Sequence, residues 1–130
     1  MAAARDVPAP ARFQLIVHPG VKVTSISRAR LAEIYLKTRT RWDDGTRILP
    51  VDQPIRAVVR ARFLKAVYDK EPAFMLRYWH RKIFSGRGVP PVELQSDDDV
   101  IDFVADHPGA IGYITAGLRP ASVRIVEMTR

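Results

Sequence analysis

A chain of 130 residues suits one domain with a real hydrophobic core. It is 47% hydrophobic and 27% charged, has no apolar run near the ~20 residues of a membrane helix, and lacks cysteine, which excludes disulfides, thiolate metal sites and cysteine nucleophiles. Twenty-one Lys and Arg against fourteen Asp and Glu give a formal net charge of +7. That balance favours an anionic partner (nucleic acid, anionic lipid or a small oxyanion) without choosing among them, and an overall arginine and alanine bias accounts for it equally well.

Residues 1–11 are rich in Ala and Pro and predict a flexible or extended start, with no apolar core of an intact signal peptide. Residues 12–130 are expected to form a single domain. Phe13 to Val17 reads as a first strand, stopped by His18-Pro19-Gly20. Val21 to Ile26 is a linker with some extended character. Ser27 is a helix N-cap, and Leu31, Ile34, Tyr35 and Thr38 line one face of the helix it opens. Asp44-Gly45 is a turn dipeptide. Ile48, Leu49 and Val51 form a short apolar strand covered on both faces, interrupted by Pro50.

Asp52-Gln53-Pro54 then leaves the sheet, and Val58, Val59, Phe63, Ala66 and Val67 predict a helix from near Arg56 to about Tyr68. A loop from a strand end into a helix N-terminus is where α/β proteins place ligands, anions above all. Glu71-Pro72 breaks that helix, and Pro72 suits the first turn of the next, whose apolar face is Phe74, Met75, Tyr78, Trp79 and Ile83. Ser85-Gly86-Arg87-Gly88 ends it in a loop. Ser96 with Asp97, Asp98 and Asp99 opens a last helix that turns Val100, Ile101 and Val104 inward, with Phe103 beside them. Pro108-Gly109 ends it, and Ala110 to Thr115 and Val123 to Met128 read as strands. Four strands alternating with four helices indicate α/β, a mostly parallel sheet flanked by helices.

Several of these segments together resemble a known family. They are Val17-His18-Pro19, Val23-Thr24-Ser25-Ile26-Ser27 with Leu31-Ala32-Glu33-Ile34-Tyr35-Leu36, Arg41-Trp42-Asp43-Asp44-Gly45 with Ile48-Leu49-Pro50-Val51, Arg60-Ala61-Arg62-Phe63, and His107-Pro108-Gly109-Ala110-Ile111-Gly112-Tyr113-Ile114. In order and spacing, over about residues 13 to 115, they are similar to the substrate-binding component of phosphate ABC transporters, of the type II periplasmic binding protein fold. The resemblance implies a single lobe of that fold, an exported, periplasmic, non-catalytic binding or interaction module, and no cofactor.

It departs from the family in two ways. Family members close two lobes on a ligand, and this chain has length for one. The family also cradles phosphate with an arginine, a Gly-Ser-Gly-Thr run and a second arginine. Here Gln53 stands at the first arginine, Arg56-Ala57-Val58-Val59 replaces the small residues, and Arg60 persists. A valine pair neither lets backbone approach an anion nor donates hydroxyl hydrogen bonds.

The candidate anion ligands are therefore Gln53, Arg56 and Arg60, with Ser27 and Thr24 as further candidates. The competing reading of Arg56 and Arg60 is a pair of solvated arginines, or arginines paired with Asp52 in a structural role. His18, His80 and His107 lack metal-ligand spacing, and helix-start electrostatics explain the three aspartates without a metal. The aromatics Phe74, Tyr78 and Trp79 read as core. No nucleophile–base–orienter set is present, so no enzyme is expected. A protein partner or second copy is expected over the open lobe face, and a small oxyanion such as phosphate is expected to bind weakly. A basic nucleic-acid-binding module, or a full phosphate-transport binding protein that pairs with a second lobe or chain, is the alternative. No specific nucleic acid is expected, because basic residues are spread over nearly every segment.

Overall fold

Phe13, Leu15 and Val17 alternate with Gln14 and Ile16, and this period of two builds β1 (Phe13–Val17) with one set of side chains on each face of a sheet. The computed structural model describes residues 12–70 and 72–130, so the expectation for residues 1–11 lies outside the described residues. After β1 come β2 (Ser25–Ser27), α1 (Arg28–Tyr35), β3 (Leu49–Asp52), α2 (Val58–Tyr68), α3 (Pro72–Phe84), β4 (Val92–Glu93), α4 (Asp97–Asp106), β5 (Ala110–Thr115) and β6 (Arg124–Thr129). They form one six-stranded sheet in the order β2-β6-β1-β5-β3-β4.

The expectation of a mostly parallel sheet holds for five strands and fails for β1. β3 runs parallel to β5 and β4, and β2 parallel to β6, whereas β1 is antiparallel to both β5 and β6. A parallel neighbour requires a crossover connection, usually a helix. β1 is reached from no such helix among the described residues, so nothing forces it into the common direction. Two strands beyond the four expected, β2 and β4, are the short edge strands of the sheet.

Helices cover both faces. Phe13, Leu15 and Val17 of β1 with Ile111 and Tyr113 of β5 point into the cluster made with α1, α2 and α3. Ile16, Val51 and Ile114 point the other way, against Val100 and Val104 of α4. At Gly112 an added Cβ would lie 2.7 Å from Val100 Cγ1, so glycine lets α4 sit close on the sheet. Gly109 has φ +87 and its Cβ would meet the Arg47 carbonyl oxygen at 2.1 Å, which fits the entry to β5 to a residue without a side chain.

The caps follow local rules. Ser27 Oγ accepts from Arg30 N at 3.1 Å and Ser96 Oγ from Asp99 N at 3.1 Å. α1 ends in a Schellman motif, with Lys37 N donating to Ile34 O and Thr38 N to Glu33 O, both at 3.0 Å, and Lys37 at φ 63. Thr38 thus belongs to the cap and not to the buried face of the helix. Lysine in the left-handed region is strained, so Lys37→Gly should raise stability by about 0.5–1 kcal/mol. Thermal melts showing a lower midpoint than the parent would defeat this.

Two side chains expected in the core are outside it: Val58 is 64% exposed and Ile83 51%. Val58 lies beside the inner stripe of α2 that Val59 and Phe63 fill, and Ile83 lies one turn beyond Trp79, past the buried part of the α3 stripe. α2 also starts two residues later than expected. Pro54 to Ala57 makes a separate turn, closed by Ala57 N to Pro54 O at 2.8 Å, and Arg56 lies in that turn.

Candidate functional site

β3, β4 and β5 run in one direction and end together, and the N-termini of α2 and α4 rise from the same end. The crossover from β3 to β4 covers one face of the sheet and that from β4 to β5 the other. This divergence of connections is where open α/β sheets offer a crevice. Asp52 ends β3, Gln53 follows it, Arg60 stands in the first turn of α2, Glu93 ends β4 and Tyr113 lies on β5. Asp52, Gln53 and Arg60 are the polar or charged residues buried among the described residues, at 6%, 3% and 7% exposure.

The Arg60 guanidinium is occupied from within. Its Nη1 donates to the Gln53 carbonyl at 2.8 Å, lies 3.3 Å from Glu93 Oε2 and stands 3.7 Å from Asp52 Oδ2. Its Nε is buried without a partner. Asp52 is held in turn by the Tyr113 hydroxyl and by Gln53 N at 2.9 Å. Burial pushes the Asp52 carboxyl above the usual carboxylate range, against the opposing pull of Arg60 and of the Tyr113 hydrogen bond. Burial and then the Asp52 charge raise the Tyr113 hydroxyl well above its ordinary value, so it donates to Asp52 as a neutral phenol. Tyr113 also stacks on Phe63 of α2, centroids 4.0 Å apart, which fixes the ring beneath the loop.

The other candidates are differently placed. Gln53 Nε2 donates to Asp97 Oδ1 at 2.9 Å and to the Tyr113 carbonyl at 3.0 Å, so the amide locks the loop to β5 and α4. Arg56 is exposed and makes no hydrogen bond or ion pair among the described residues. α2 has no side-chain cap, its N-cap being Ala57. Ser27 is engaged as the cap of α1. It and Thr24 lie at the β2 edge, separated from β3 by β6, β1 and β5, or about 19 Å at normal strand spacing. The fold thus brings Gln53 and Arg60 together, leaves Arg56 at the rim, and sets Ser27 and Thr24 apart.

Sequence reasoning raised Asp52 as an arginine partner but missed Glu93, Tyr113 and the second use of Asp97. No local signal marks them, since Glu93 lies 33 residues from Arg60 and Tyr113 lies 61 from Asp52. Asp97 opens α4, as expected, and its Oδ1 also accepts from Thr115 N at 3.2 Å. Among the described residues, no group of three His, Asp or Glu could hold a metal ion, and no helix is long and apolar enough to cross a membrane. His107 is stacked on Phe103 at 3.7 Å, and His18 Nδ1 accepts from Gly20 N at 2.9 Å.

No known family profile matches the chain, and no curated protein does. Solved structures do. A phosphate ABC transporter substrate-binding protein from Clostridium perfringens, with bound phosphate, is 20% identical with a TM-score of 0.72 over 89% of this chain and 44% of its own. An ABC-type phosphate transport receptor from Vibrio cholerae is 19% identical with a TM-score of 0.69, over 89% of this chain and 45% of its own. PstS from Borrelia burgdorferi is 17% identical with a TM-score of 0.67, over 92% and 48%. The chain thus spans less than half the length of these proteins. Identities this low establish fold, and on that ground the chain has the architecture of a single lobe of a phosphate-type periplasmic binding protein.

Proposed function

We propose that this chain is a non-catalytic, phosphate-binding-protein-like module, exported to the periplasm, whose anion site is degenerate. The observation that carries the reading is Arg60, whose guanidinium already faces Asp52 at 3.7 Å and Glu93 at 3.3 Å. An incoming oxyanion must displace or share those carboxylates and meets their repulsion. Arg56 stays available at the rim, but in solvent, where a charge–charge contact is weak and screened. The valine pair after Ala57 withholds the close backbone approach that a phosphate cradle needs.

Phosphate should therefore bind with a dissociation constant around millimolar or weaker, equivalent to about 4 kcal/mol. Calorimetry of the full chain with inorganic phosphate measures it, with Arg56→Ala as a variant that disturbs no buried contact. Micromolar binding that Arg60→Ala abolishes would sink the degenerate-site reading and return the chain to a phosphate receptor. A protein partner or second copy over this end is supported by the exposed apolar Ile55 and Val58 beside Arg56, at 40% and 64%. A strictly monomeric species that captures nothing in periplasmic pull-downs would count against that part.

A further inference from the structure

We propose that the C-terminal tip of α3 docks on an anionic lipid bilayer. From residue 72 to residue 92 the sequence carries Arg77, Arg81, Lys82 and Arg87 and no Asp or Glu. This segment is cationic without internal compensation, unlike the Arg60 cluster. At its end Phe84 is 94% exposed, Val89 70% and Ile83 51%. Met75 and Trp79, on the side of the helix away from Phe84, are anchored in the core at 2% and 7% exposure, so Phe84 is held outward on a fixed base.

Phe84 projects from the surface, and with Arg81 it lines two shallow, open depressions. Lys82, Ser85 and Arg87 also line the second. An exposed apolar side chain flanked by Arg81, Lys82 and Arg87 matches a bilayer surface. The ring and the aliphatic side chains enter the acyl boundary, and the guanidinium and ammonium groups meet lipid phosphates. The long arginine and lysine stems let their charges stay at headgroup level while the ring sinks in. A second copy of the chain is a poor occupant, because two such faces repel and each chain carries a formal +7. The cations surround one protrusion, where a protein partner would need a deep acidic socket for Phe84.

The site shares no residue with the Arg60 cluster, so its failure leaves the anion-site reading untouched. The test is co-sedimentation of the full chain with phosphatidylglycerol vesicles, against phosphatidylcholine vesicles as the neutral control. The expected result is pelleting with the first only, weakened by added salt. Phe84→Ser should lower the partition about tenfold. Because Phe84 is nearly fully exposed, the variant should keep the parent's circular dichroism and melting midpoint. Arg81→Ala with Arg87→Ala should weaken pelleting while leaving the ring in place. Equal pelleting with both lipids, no pelleting with phosphatidylglycerol, or an unchanged Phe84→Ser would each overturn the proposal. So would a single-stranded oligonucleotide bound through Phe84 in preference to lipid, which would reassign the tip to base stacking.

Discussion

Trp42→Ala is expected to lower folding stability by about 3–5 kcal/mol, the range for removing a buried aromatic side chain. The indole is 5% exposed and shares a buried cluster with Leu31, Ile34 and Tyr35 of α1. Its Nε1 donates to the Gly109 carbonyl at 2.9 Å, and the Arg30 guanidinium lies 5.8 Å from its ring. Gly109 O also accepts Leu49 N at 3.1 Å, so one acceptor ties the tryptophan turn, β3 and the start of β5 together. Trp42→Phe should lose less, chiefly the hydrogen bond at about 1 kcal/mol. Urea melts at constant slope read the loss as a lowered midpoint. An alanine variant within ~1 kcal/mol of the parent would show that the ring carries no packing role.

Arg60→Ala is expected to cost about 3 kcal/mol at neutral pH, the lower end for breaking a buried ion pair. The lower end applies because Asp52 keeps the Tyr113 hydroxyl and Gln53 N as donors. Without Arg60 the first of the influences that hold the Asp52 carboxyl down is gone, and burial pushes it further above the usual carboxylate range. A raised carboxyl binds its proton in the folded state before the unfolded state does. Stability from Asp52 is therefore greatest below the ordinary carboxylate value and falls as pH rises through the raised one. In the variant that window extends upward, so its deficit against the parent should shrink as pH is lowered from neutrality. Paired urea melts across that interval measure the difference; carboxylates remote from Arg60 cancel between the two proteins, and Glu93→Gln in both backgrounds removes the other carboxylate that touches Arg60. Asp52→Asn in the Arg60→Ala background should restore part of the loss at neutral pH, giving a coupling energy in a double-mutant cycle. A deficit independent of pH, with no coupling to Asp52, would mean that Arg60 acts through packing alone.

The difference between what was legible and what was not is clearest at the ends of α2. Tyr68 as its last residue follows from helical spacing, and Asp69 then takes the left-handed cap at φ 57. The start of α2 falls two residues later than expected because Arg56 and Ala57 belong to the separate Pro54–Ala57 turn, and Val58, which opens the helix and fits its apolar period, is solvent-exposed. Periodicity gives the direction of a helix face; its width depends on which other elements reach it. Ile83 fails for a different reason: it continues the Met75–Trp79 stripe one turn further, and α3 meets the core through Phe74, Met75, Tyr78 and Trp79 but no longer at its last turn.

From sequence alone came the residues of β1 and β5, the Ser27 and Ser96 caps, the turn at Gly45, the α/β class and the resemblance to one lobe of a phosphate-type binding protein. These rest on interactions between residues a few positions apart, or on motifs whose order survives in the chain. Only the tertiary structure decided that β1 runs against its neighbours, that Arg60 is paired while Arg56 makes no ion pair among the described residues, and that Gln53 serves the loop through Asp97 and Tyr113. Those outcomes depend on groups from β3, β4, α4 and β5 meeting at one end of the sheet. Burial at that end makes a lone arginine or carboxylate costly, so each is satisfied by the nearest opposite group, whatever its distance along the chain.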